Sequence, residues 1–109
     1  MAYDEGLAHR VRELLDGRPD LVEKKMFGGL AFIVQGNLCC GVYKDDLIVR
    51  IGPDQDAAAL TRPHARPFDI TGRPMKGWLL VAPEGLEDDA DLEGWVEQGL
   101  AFALTLPAK

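Results

Sequence analysis

The sequence predicts an α+β domain of two layers, an antiparallel sheet with its helices largely on one face. Three observations carry that reading. Apolar residues recur at helical spacing near both ends of the chain. The segments between them alternate with period two or run apolar for a few residues. Short turn signals separate those segments closely enough for hairpins. A length of 109 residues fits a single domain over 1–109. Folding at this size buries roughly two thirds of the unfolded surface, enough for a core without disulfide or metal staples.

The first element is a helix over residues 3–17. Leu7, Ala8, Val11, Leu14 and Leu15 share one face, while His9, Arg10, Arg12 and Glu13 fall mainly on the others. Gly17 sits where a C-cap is expected, and Pro19 prevents the helix from resuming. A first strand is expected over residues 22–27, after which Gly28 and Gly29 mark a bend or a close backbone approach. "LAFIVQ" and "LCCGVY" flank Gly36-Asn37, read as a two-residue hairpin loop, and a second turn at Asp45-Asp46 leads into "LIVRI". Gly52-Pro53 opens a short helix through about Leu60, which Pro63 stops. "FDI" and "GWLLVA" form a last strand pair around a loop at 71–76, and Leu92, Trp95, Val96, Leu100, Ala103 and Leu104 trace a closing helix.

If both meander loops hold two residues, the register follows. Ala31, Ile33, Cys40, Val42, Val49 and Ile51 share a wholly apolar face for the helices to cover. The other face then carries Leu30, Phe32, Val34, Cys39, Gly41, Tyr43, Ile48 and Arg50, with Phe32 shielding Gly41. That face is too apolar for water, and Arg50 makes it a poor core. It is expected to be covered either by the rest of the chain or by a second copy or partner, with Phe32, Tyr43, Ile48 and Arg50 as the candidate contact residues.

The chain holds 18 acidic and 12 basic residues, a net charge of −6. That balance argues against direct nucleic-acid or membrane-surface binding. No apolar stretch approaches the ~20 residues of a membrane helix, and no signal pattern opens the chain, so a cytoplasmic protein is expected. Basic charge gathers in "RPHARPFDITGRPMKGW", where Arg62, His64, Arg66, Arg73 and Lys76 accompany the single acid Asp69. If its loops converge, these side chains form an anion or acidic-partner site, the arginine forks suiting bidentate contact. The alternative is internal pairing with Asp69 and the acids of the 84–91 run.

Catalytic chemistry finds few candidates. There is no serine, so only Cys39 or Cys40 with His9 or His64 could form a nucleophile–base pair. Both cysteines fall mid-strand, where free cysteine behaves as a small buried hydrophobe. Adjacent strand positions point to opposite faces, so the two thiols are not expected to share a metal. Glu87, Asp88, Asp89 and Asp91 read as helix-entrance acids that answer the macrodipole. No metal, no cofactor and no glycine-rich phosphate loop is expected.

"KKMFGGLAFIVQG", "DDLIVRIG", "RPMKGW" and "PEGL", closed by an apolar helix and "LP", resemble in this order the N-terminal domain of the TfoX/Sxy competence regulators. The similarity runs from about Val22 to Pro107, Met26-Phe27-Gly28-Gly29 being its most diagnostic piece. The resemblance implies a two-layer fold like that of secretion chaperones and a non-enzymatic regulatory role, since full-length members assist transcription alongside the cAMP receptor protein. It carries no catalytic or cofactor residues. Full-length regulators continue into a helical C-terminal domain, whereas this chain stops at Lys109, as expected of a short stand-alone member. The function expected is therefore a regulatory module acting through a protein partner, with homodimerisation through the second face; the alternative is a small anion- or nucleotide-binding protein using the cluster at 62–76.

Overall fold

The computed structural model describes residues 3–26, 28–70 and 72–108. Helix α1 (Glu5–Leu14) opens the chain, and Asp4 caps it by accepting hydrogen bonds from the amides of Gly6 and Leu7. Strands β1 (Leu21–Met26), β2 (Gly29–Val34), β3 (Asn37–Tyr43) and β4 (Asp46–Arg50) follow as a meander. A 3₁₀ turn at Pro53–Gln55 leads into α2 (Asp56–Leu60), then β5 (Ala65–Pro67), β6 (Trp78–Val81) and α3 (Asp89–Thr105). The sheet has six antiparallel strands in the order β1-β2-β3-β4-β6-β5. All three helices pack on one face, as the sequence predicts. Leu7, Val11 and Leu15 from the α1 region, Ala59 from α2, and Leu92, Trp95, Val96 and Ala103 from α3 join the inward side chains of the sheet in one buried cluster.

Which side chains point inward differs from the expected register. The β2–β3 loop is Gln35-Gly36, both at positive φ (54° and 83°), not Gly36-Asn37. Asn37 is a buried strand residue whose amide donates to the Pro107 carbonyl at 3.0 Å. Moving a turn by one position shifts pairing by two and preserves faces; the same one-residue shift occurs at Lys44-Asp45, where Tyr43 pairs with Asp46. The decisive change is a bulge. Phe32 pairs with Cys40 and Ile33 with Leu38, leaving Cys39 as an extra residue on β3. One extra residue reverses the phase of everything beyond it. Phe32, Leu30 and Val34 therefore face the helices, and Ala31 and Ile33 face away. The expected pairing of Phe32 over Gly41 is replaced by Phe32 opposite Cys40, with Gly41 opposite Ala31 and Ile48.

Both glycines of the Gly28-Gly29 pair have a physical reason. Gly28 adopts φ 77°, and a Cβ on Gly29 would stand 2.1 Å from the Val42 carbonyl oxygen. The last strand pair is also displaced. The strand lies at 65–67, not at "FDI", and Phe68 and Ile70 instead turn onto the outer sheet face. Thr71 and Phe27 lie outside the described residues.

Candidate functional site

The outer face of the sheet is covered mainly by the chain itself. Phe68 is fully buried there with Ala31, Leu38, Ile48 and Leu80, and Ile70, Met75 and Trp78 pack around them. This segment, 68–77 apart from Thr71, supplies the bland covering considered above. Of the four expected contact residues, Phe32 lies in the opposite, helix-facing core, because the bulge reverses β2. Ile48 is buried beneath Phe68 and its neighbours. Tyr43 remains half-buried at the border of the cluster. Arg50 is held between two rings, its guanidinium 5.2 Å from the Trp78 centroid and 5.3 Å from that of Phe102.

The same region explains "RPMKGW". The Gly77 carbonyl accepts from the amides of Ile51 (2.8 Å) and Gly52 (3.2 Å), and its amide donates to Asp56 Oδ1 at 2.8 Å. Gly77 sits at φ 88°, and a Cβ there would stand 2.7 Å from the Gly52 carbonyl carbon. The motif thus locks the start of β6 onto the end of β4 and places Trp78 over Arg50. Its role here is architectural.

The basic residues of 62–76 do not converge on one pocket. Arg62 belongs to the helix layer, its guanidinium 3.6 Å from the Trp95 ring centroid and donating to Gln98 Oε1 at 3.2 Å. His64 is exposed at φ 69°, with its ring packed against Gly85. Arg66 lies opposite Leu80 on the outer face and pairs with Asp46 at 2.5 Å. Sequence reasoning named Asp69 and the 84–91 acids as counterions and missed Asp46. Its proximity follows only from the order β4-β6-β5, which sets residue 66 level with residue 48 across β6, close enough for the long arginine side chain to reach back to residue 46. Arg73 and Lys76 are exposed, and among the described residues neither pairs with a carboxylate.

The thiols are both inward-facing, contrary to the alternation expected of adjacent strand positions. The bulge turns Cys39 and Cys40 to the helix side, each fully buried. Cys39 Sγ lies 3.9 Å from the Val96 carbonyl. Its hydrogen bond to Cys40, together with burial, holds the Cys40 thiol well above the ordinary cysteine range. A thiol so placed is a core group, not a nucleophile. Among the described residues no three His, Cys, Asp or Glu side chains come together in a way that could hold a metal ion. A cleft of about 280 Å³ between Gln55 and α3 is lined by Ile51, Gln55, Gln98, Ala101, Phe102 and Thr105, none of which titrates as an acid or base near neutrality.

What remains open is the edge of the sheet. β1 borders only β2, and its central four residues are exposed, Val22 by 58%. Lys24 and Lys25 stand on this strand with no carboxylate partner among the described residues, whereas Glu23 is held bidentately by Arg12 at 2.6 and 2.7 Å. The opposite edge, β5, is three residues long and ends in Pro67. Among the described residues no helix is long and apolar enough to cross a membrane.

No curated protein and no solved structure matches the chain. The family model of the TfoX N-terminal domain matches residues 13–103, from the second half of α1 almost to the end of α3. By that match, which spans the meander, the Gly77 lock, α2 and most of α3, the chain belongs to the TfoX N-terminal domain family.

Proposed function

We propose that this chain is a cytoplasmic, non-enzymatic regulatory module that acts by binding another protein. The observation that carries the reading is the contrast between a closed interior and an open β1 edge. The thiols are buried, Arg66 is neutralised by Asp46, Arg62 is stacked on Trp95, and Arg50 is clamped between rings. The exposed, chemically unspent features are instead a free six-residue strand and the side chains beside it. Family membership supports a competence-regulator-like domain. Homodimerisation through the outer face loses its support, since Phe68, Ile70, Met75 and Trp78 pack on that face.

Two measurements test this reading. The immobilised full chain is expected to retain a specific protein from native cell extract, while phosphates and nucleotides leave its melting temperature unchanged. A concentration-dependent rise with one such anion, without any retained protein, would overturn the proposal in favour of anion binding through Arg73 and Lys76.

A further inference from the structure

We infer, on the reading of the chain as a protein-contact module, that β1 takes an extended acidic segment of its partner as a seventh strand. The backbone defines where that strand bonds. The Gln35 amide donates to the Asp20 carbonyl, so residues 20 and 35 are a hydrogen-bonded pair of the β1–β2 ladder. In the regular register that follows, Val22, Lys24 and Met26 direct their N–H and C=O groups toward β2. Glu23 and Lys25 direct theirs outward, to the open side. An added antiparallel strand therefore hydrogen-bonds at Glu23 and Lys25.

Side-chain chemistry selects its sequence. Lys24 and Val22 flank each other on the outer face, next to half-buried Ile33 and Met26, and Lys25 stands on the helix side. The incoming strand meets two uncompensated cations at adjacent positions, bracketed by apolar Val22 and Met26. Acidic residues opposite Lys24 and Lys25, with apolar residues at the flanks, satisfy each position.

A second copy of the chain satisfies them poorly. Self-pairing must align outward residues with outward residues. Setting Glu23 against Lys25 of the other copy puts Lys24 against Lys24; centring on Glu23 puts Glu23 against Glu23. Both registers juxtapose like charges, as does centring on Lys25, and the only acid of the strand is already engaged by Arg12. Centring on Val22 sets Lys24 against Asp20, which Arg18 already holds, and leaves Lys25 opposite Pro19. In each of these registers a second copy offers Lys24 and Lys25 no free acid, whereas an acidic strand supplies one opposite each.

The probe is an acetylated, amidated peptide Val-Glu-Glu-Thr-Val-Ile, titrated to millimolar concentration into the ¹⁵N-labelled full chain, with Val-Lys-Lys-Thr-Val-Ile as its control. The acidic peptide is expected to shift the Glu23 and Lys25 amides most, and the control to shift neither. Raising salt from about 0.05 M to about 0.5 M is expected to weaken binding about fivefold. The double variant Lys24→Glu/Lys25→Glu changes exposed side chains only, and is expected to reverse the preference between the peptides. Lys25→Pro, which deletes an outward N–H and spares the β1–β2 ladder, is expected to abolish the response. Equal response to both peptides, shifts centred away from β1, no shift at millimolar peptide, or a β1-dependent dimer would each overturn the inference. None of those results bears on whether the chain retains a protein from extract, so the two readings fail separately.

Discussion

Arg12 and Glu23 show how a single pair ties a helix to a sheet edge. The bidentate hydrogen bond from Arg12, stronger than the opposing cost of burial, lowers the Glu23 carboxyl below its usual range. A carboxyl whose folded pKa is depressed contributes stability above its unfolded value, near 4.3, and loses that contribution as pH falls through the folded one. Both partners keep substantial solvent contact, so the contribution is at most about 1 kcal/mol. Arg12→Ala is expected to lower the urea midpoint at pH 7, and the difference from wild type to vanish as the pH drops below the folded Glu23 value. A difference unchanged down to pH 3 would mean that Arg12 acts through packing of its aliphatic stem.

Helix existence was legible from sequence because a 3.6-residue stripe survives small boundary errors: α1 falls within its expected span and α3 extends the expected stripe of 92–104 by three residues at one end and one at the other, while α2 lies between the prolines expected to bound it. Strand faces are less forgiving. The faces of Val42, Val49, Tyr43 and Ile48 were legible despite a misplaced turn, since that error shifts the register by an even number. The face of β2 was not, because nothing in "LCCGVY" announces the extra residue at Cys39. The bulge is matched from the other layer by Gly99 of α3, where a Cβ would stand 2.4 Å from the Cys39 carbonyl oxygen. Two glycines of one helix therefore predict opposite outcomes. Gly94 has open space around it, so Gly94→Ala is expected to stabilise the protein by about 0.5–1 kcal/mol through helix propensity. Gly99→Ala gains the same propensity but must push α3 off β3, and is expected to cost a net 1–3 kcal/mol or so. Urea midpoints at constant m-value decide both. A stabilising Gly99→Ala would show that the helix layer can slide over the bulge at little cost.

The molecule as a whole is a sheet closed on both faces by different means, and its charge follows that division. The α3 region carries exposed Glu84, Glu87, Asp88, Asp89, Asp91, Glu93 and Glu97, while the outer layer and free edge carry Lys24, Lys25, Arg66, Arg73 and Lys76 against Asp46 and Asp69. The helix layer was legible because its elements are periodic. The outer layer was not: "FDI" alternates like a strand, and nothing local shows that the chain turns after Phe68, whose amide still donates to the Trp78 carbonyl at 3.2 Å, to fold over the sheet. Yet the hydrogen bond from the Met75 amide to the Phe68 carbonyl and the Trp78 ring, 5.4 Å from that of Phe68, close the segment into a second small core. Phe68→Ala is accordingly expected to cost about 3 kcal/mol or more, the range for a fully buried phenylalanine. The near-ultraviolet circular dichroism of Trp78 should change with it, while far-ultraviolet helix signal stays, because α1, α2 and α3 rest on the other face. A loss below about 1 kcal/mol would mean that Phe68 and its neighbours cover the sheet without stabilising it. The outer face would then be open to a second copy or partner after all, and the free edge of β1 would no longer be the main surface left for one.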